Sequence, residues 1–189
     1  MVVTTRDRLD AFDNSGTFAI QAVDQLRPVA LTTNSTTNLS GIPITLGFAR
    51  AVTAGASIGE LATFDDFNIN QFKLSNGELL TVSQDSVSGA ASTLSPGSTV
   101  NFTLTTGSGL GLNGGSPGFC GAPQAQGPPL LAVNAETNVF SLCHATGHSS
   151  ANDRVVVFKA APSQSGYDFS TCVNVVLELV GDTPKPLNQ

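Results

Sequence analysis

The segment Phe140-Ser-Leu-Cys-His-Ala-Thr-Gly-His148 brings Cys143, His144 and His148 within six positions of a chain that has three cysteines and two histidines in all. These are the residue types of thiol catalysis and of structural zinc, and each chemistry makes a demand. A thiolate nucleophile needs a base and a third group to orient that base, and a closed zinc site needs four ligands. The segment supplies at most three. If residues 139–143 form a strand, alternation turns Phe140 and Leu142 to one face and Cys143 to the other, with His144 opening the turn. His148 then falls in a loop rich in Gly and Ser, where a histidine is ordinarily solvated, so no metal or catalytic role is assigned.

The remaining chemical signals weaken on the same kind of test. Gly114-Gly-Ser116-Pro117-Gly118 fits G-x-S-x-G, and Glu136 followed by His144 or His148 would complete a Ser, acid, His order. The oxyanion hole of that elbow uses the backbone N–H after the serine, and Pro117 has none. The glycines of 107–115 lead to no Gly-Lys-[Ser/Thr] sequence, so they are not a phosphate cradle. Asp66, Asn68 and Asn70 open like a calcium loop and would share one face of a strand. Gln71 then stands where the turn glycine belongs, and the twelfth position is not Glu, so this face is a possible calcium or sugar contact only. The acids Glu60, Asp65, Asp66, Glu78 and Asp85 are close in sequence, but nothing fixes two of them at a glycosidase spacing. The expectation is a protein with no catalytic residues, no metal and no cofactor.

The elements that must position these residues are short. Apolar runs of strand length alternate with turn chemistry, giving candidate strands at Thr17 to Val23, Val29 to Thr33, Ile44 to Ala49, Phe67 to Leu74, Glu78 to Ser83 and Thr99 to Thr105. Further strands are expected at Leu130 to Val133, Val139 to Cys143, Arg154 to Ala160 and Cys172 to Val180. Val100, Phe102 and Leu104 alternate with Asn101 and Thr103, so one face packs and the other meets water. Asn76-Gly77 between apolar arms predicts a type I′ hairpin turn. Ala51 to Phe64, with Gly55 and Gly59, reads as a loop or short helix, and Thr105 to Pro129 as a long Gly/Pro loop. Strands without helices to cover a parallel sheet imply an all-β fold: an antiparallel β-sandwich or partly open barrel with little helix. Residues 1–182 are expected to form one domain and 183–189 a Pro-containing tail or linker.

Composition narrows the setting. Charged residues make up 12% of the 189, the net charge is -6, and the eight basic residues are not clustered, which argues against a nucleic-acid partner. No apolar run reaches the ~20 residues of a spanning helix. Asn34, Asn38 and Asn101 each begin an N-x-[ST] sequon, consistent with glycosylation of an exported protein whose signal has been removed. The 11 Phe and single Tyr, with no Trp, suit a core more than a sugar platform. In an exported β protein, Cys143 and Cys172 at strand ends suggest a disulfide, with Cys120 as the free thiol; pairing of Cys120 with Cys143 competes.

Phe140-x-x-Cys143, Val155-Val-Val-Phe158 and Cys172-x-x-Val175-x-Leu177 together resemble the closing β module of fungal secreted and cell-wall proteins. Phe72-x-Leu74-x-x-Gly77-x-Leu79 is similar to the opening of that module, so the likeness runs from about Phe64 to Val180. It implies pairing of Cys143 with Cys172 and a role in wall structure, adhesion or host interaction. Cys120 and the long Gly/Pro loop depart from the pattern and keep the alternative pairing open. The expected partners are cell-wall polysaccharide or surface proteins. The alternative is a lectin-like carbohydrate-binding module, with or without calcium, using Asp66, Asn68 and Asn70.

Overall fold

The computed structural model describes residues 17–24, 41–53, 56–64, 69–82, 87–106, 118–125, 127–147 and 153–181. Among the described residues there are twelve strands and no helix. They are β1 (Phe18–Asp24), β2 (Ile42–Thr53), β3 (Ala56–Ala62), β4 (Gln71–Ser75), β5 (Glu78–Val82) and β6 (Val87–Ala91). The second half supplies β7 (Asn101–Thr106), β8 (Phe119–Ala122), β9 (Leu130–Val133), β10 (Phe140–Ala145), β11 (Arg154–Phe158) and β12 (Tyr167–Gly181).

All pairings are antiparallel. The strands join into one sheet of order β2-β1-β4-β5-β6-β7-β3-β11-β10-β12-β9-β8, and contacts of β2 with β3 and of β1 with β12 fold it back on itself. The all-β expectation is met, and this wrapped sheet fits a sandwich or partly open barrel.

Alternation explains why these segments are strands. β4 and β5 each bury their second and fourth residues, and on β7 Phe102 and Leu104 are buried while Thr103 is exposed. The buried sets meet in one core to which every strand contributes, with Phe72, Phe102 and Phe140 fully enclosed. The Phe72 and Phe102 rings tilt against each other at 5.9 Å. The β4–β5 connection is the predicted two-residue turn, with φ of 51° at Asn76 and 78° at Gly77.

Two readings of the sequence are corrected. Ala51 to Phe64 is neither loop nor helix: it holds the end of β2 and all of β3, which lies between β2 and β7. Gly59, which argued against regular structure, is a packing requirement there. A methyl on it would lie 2.8 Å from Leu46 Cδ2 and 3.2 Å from Leu104 Cδ1. The Thr105 to Pro129 stretch is likewise broken by β8, which pairs with β9 from Phe119↔Val133 to Ala122↔Leu130. The strand expected at Val29 to Thr33 and the 183–189 tail lie outside the described residues.

Candidate ligand-binding cleft

The segment Phe140 to Ala145 is β10, held between β11 and β12. Phe140 and Leu142 enter the main core, and Cys143 faces the other way into a smaller cluster with Ala62, Val155, Val157 and Tyr167. Cys143 is joined to Cys172, with Cα atoms 4.1 Å apart. Cys120, half-buried on β8, is free. The structure thus selects the Cys143–Cys172 pairing over Cys120 with Cys143.

The disulfide sits at a break in the β10–β12 register. Leu142 pairs with Val173 and His144 with Asp168, so Cys143 alone faces the four residues 169–172. That excursion is internally braced. The Ser170 hydroxyl and backbone N–H donate to Asp168 Oδ1 at 2.7 and 2.9 Å. The Thr171 hydroxyl donates to Asp168 O at 2.6 Å and accepts from the His144 N–H at 2.9 Å. The hydrogen bond from the Ser170 hydroxyl, followed by that from its backbone N–H, holds the Asp168 carboxyl below the usual carboxylate range, and nearby His144 adds a smaller push the same way.

Beside the excursion lies a cleft of about 690 Å³. Ser141, Cys172 and Asn174 line it from the two strands, Glu136 and Asn138 from the β9–β10 connection, Lys159 and Ala160 from the end of β11, and Phe169 and Ser170 from the excursion. Ser141 is buried, and its hydroxyl donates to Asn174 Oδ1 at 3.0 Å, leaving the amide Nδ2 to donate elsewhere. Lys159 Nζ lies 2.9 Å from Glu136 Oε2 and 5.5 Å from the centre of the Phe158 ring. Phe169 keeps 45% of its surface exposed.

The rim backbone is specialised as well. Asn134 and Ala135 have φ of 52° and 69°, and Val133 and Glu136 exchange backbone hydrogen bonds of 3.0 Å across them, a tight type I′ turn. Lys159, with φ of 45°, donates its N–H to Val139 O at 2.7 Å. Left-handed conformations at non-glycine residues persist only where the surroundings fix them. Both rim loops are therefore held in set shapes.

The other sequence candidates do not gather at this cleft. His144 is half-buried at the register break, and Asn70 is exposed just before β4. Asn101 is half-buried on β7, where its Oδ1 accepts from the Thr99 hydroxyl at 2.9 Å. Asp66, Asn68, Asn34, Asn38, Ser116 and His148 lie outside the described residues. Among the described residues no three His, Cys, Asp or Glu side chains are placed to hold a metal ion.

The chain matches no protein-family model, no curated protein and no solved structure.

The geometry itself therefore carries the functional argument, and the residues it singles out were mostly silent in sequence. Glu136 drew notice only as the acid of a hydrolase triad, and Lys159, Ser141 and Phe169 drew none. Two local signals pointed here: an aromatic residue inside the polar run Asp168-Phe-Ser-Thr171, and a lone Asn174 within an apolar strand.

Proposed function

We propose that this protein is an extracellular, non-catalytic surface or secreted domain with a structural or adhesive role. The disulfide between Cys143 and Cys172 carries this reading, because such crosslinks form and persist in oxidising compartments. Supporting it are a surface poor in charge and rich in hydroxyls and amides, and the three sequons, of which Asn101 stands on the outward-facing side of β7. The resemblance of the Cys143 and Cys172 segments to fungal wall modules points to cell-wall polysaccharide or surface proteins as partners.

Fractionation of the source organism with an antibody to this chain, combined with thiol counting on the recovered protein, tests the reading. Protein in the wall or medium, with one alkylatable thiol before reduction and all three cysteines alkylatable after it, is the expected result. Cytosolic protein with every cysteine free overturns it.

A further inference from the structure

We infer that the cleft beside the 169–172 excursion is a binding site for a neutral saccharide, with Phe169 as the ring that stacks on the sugar. The inference rests on the extracellular reading above and supplies that reading with a ligand and a site. It does not use the Asp66, Asn68 and Asn70 face, and it calls for no calcium.

Charge comes first. The ionisable side chains lining the cleft are Glu136 and Lys159, and they neutralise each other at 2.9 Å. An anionic or cationic ligand would meet no uncompensated partner. The pair nevertheless presents an acceptor and a donor side by side, which suits adjacent hydroxyls that each donate and accept. The amide of Asn138 has the same double capacity, while Asn174 offers its N–H groups and Ser141, whose proton already goes to Asn174 Oδ1, offers only lone pairs. Ser141 acts here as a positioning residue, since its bond to Asn174 Oδ1 turns the amide N–H groups into the available donors.

The second requirement is an apolar surface for the C–H face of a pyranose. Phe169 supplies it, one of three large apolar side chains strongly exposed among the described residues. A solvent-facing ring gains little from where it stands, yet its backbone is braced by the Asp168, Ser170 and Thr171 hydrogen bonds and anchored three residues on by the disulfide. A ring carried on a backbone that is fixed before the ligand arrives leaves only its own side-chain rotation to be ordered on binding. The volume of about 690 Å³ falls within the ~300–1,000 Å³ of small-molecule sites.

Competing ligands fit worse. An extended peptide added as a strand requires a free edge, and β10 beneath the cleft is paired on both sides, with β11 and β12. A lipid chain would cover the Ser141, Asn138 and Asn174 polar atoms without satisfying them.

Calorimetric titration of the full chain with neutral β-glucan, chitin and mannan oligosaccharides, alongside sulfated and uronic-acid oligosaccharides, tests the proposal. At least one neutral series should bind, with affinity unchanged by chelator. Phe169→Ala and Asn174→Ala should each weaken binding about tenfold or more, as expected for anchor residues, and Phe169→Trp should restore it. Phe169→Ala alters an exposed side chain, so its unfolding midpoint should match the parent. Asn174→Ala removes the acceptor of the buried Ser141 hydroxyl and should lower the midpoint, so its binding is read at a temperature where it is fully folded. Failure of every neutral series to bind, binding confined to charged glycans, or neutral binding that survives Phe169→Ala would each overturn the proposal. If the protein is wall-located with its disulfide formed but neutral saccharides do not bind, this inference fails while the extracellular reading stands.

Discussion

Asn76-Gly77 and Asn134-Ala135 both hold two successive residues at positive φ, one joining β4 to β5 and the other shaping the cleft rim. Asn-Gly announces such a turn because glycine has no Cβ to clash there; Asn-Ala does not, and the second turn was invisible for that reason. Ala135→Gly should therefore raise stability by about 0.5–1 kcal/mol in denaturant titration, and Gly77→Ala should lower it by about 1 kcal/mol. Asp168 poses a residue-scale question of pH. Its folded pKa lies below the ordinary 3.8, so its hydrogen bonds add stability above that value and lose it as pH falls through the lower folded one. An NMR titration should place the Asp168 midpoint below 3.8, with the Ser170 amide shifting in step, and Ser170→Ala should move that midpoint upward. The cysteine pairing was legible but its placement was not: both cysteines were expected at strand ends, and the structure sets Cys143 inside β10 and Cys172 inside β12. Phe169 was not legible, because a single exposed ring carries no periodicity.

At the scale of elements, strands with regular alternation announce themselves and strands shaped by close approach do not. β4, β5 and β7 were legible because every second residue faces the core. β3 was hidden by Gly59, whose missing side chain lets Leu46 and Leu104 pack over the strand. Gly59→Ala should cost about 1–3 kcal/mol by overpacking, measured as a drop in unfolding free energy with β content retained at low temperature. β12 was recognised only from Cys172 onward because its first turn-like stretch is polar. It starts at Tyr167, whose buried hydroxyl donates to Ala161 O at 2.8 Å and accepts from the Ala161 N–H at 3.0 Å. Tyr167→Phe leaves both groups without that partner and should cost about 1–3 kcal/mol in the same assay.

Over the whole molecule, the fold class followed from short alternating runs and the absence of helix signals, whereas the closure of the sheet did not. Strand partners distant in sequence, such as β1 and β12, are chosen by which buried faces fit together, a property no local pattern records. The disulfide acts at this scale. Cys143 and Cys172 are separated by 29 positions, and converting both to Ala should lower stability by about 3 kcal/mol through the freer unfolded chain. Guanidinium unfolding of the double variant against the parent measures it. The β1–β12 register adds a mechanical consequence. Phe18 faces Gly181 and the rungs continue to Asp24 opposite Val175, so traction applied through Phe18 and Gly181 peels the two strands apart one rung at a time rather than shearing them together. Such a seam yields at low force, but the tear in β12 runs only toward Cys172. There a covalent stitch to β10 halts it, so a strained domain can lengthen by the segment 173–181, Asn174 included, while the Phe169 excursion stays tied to β10.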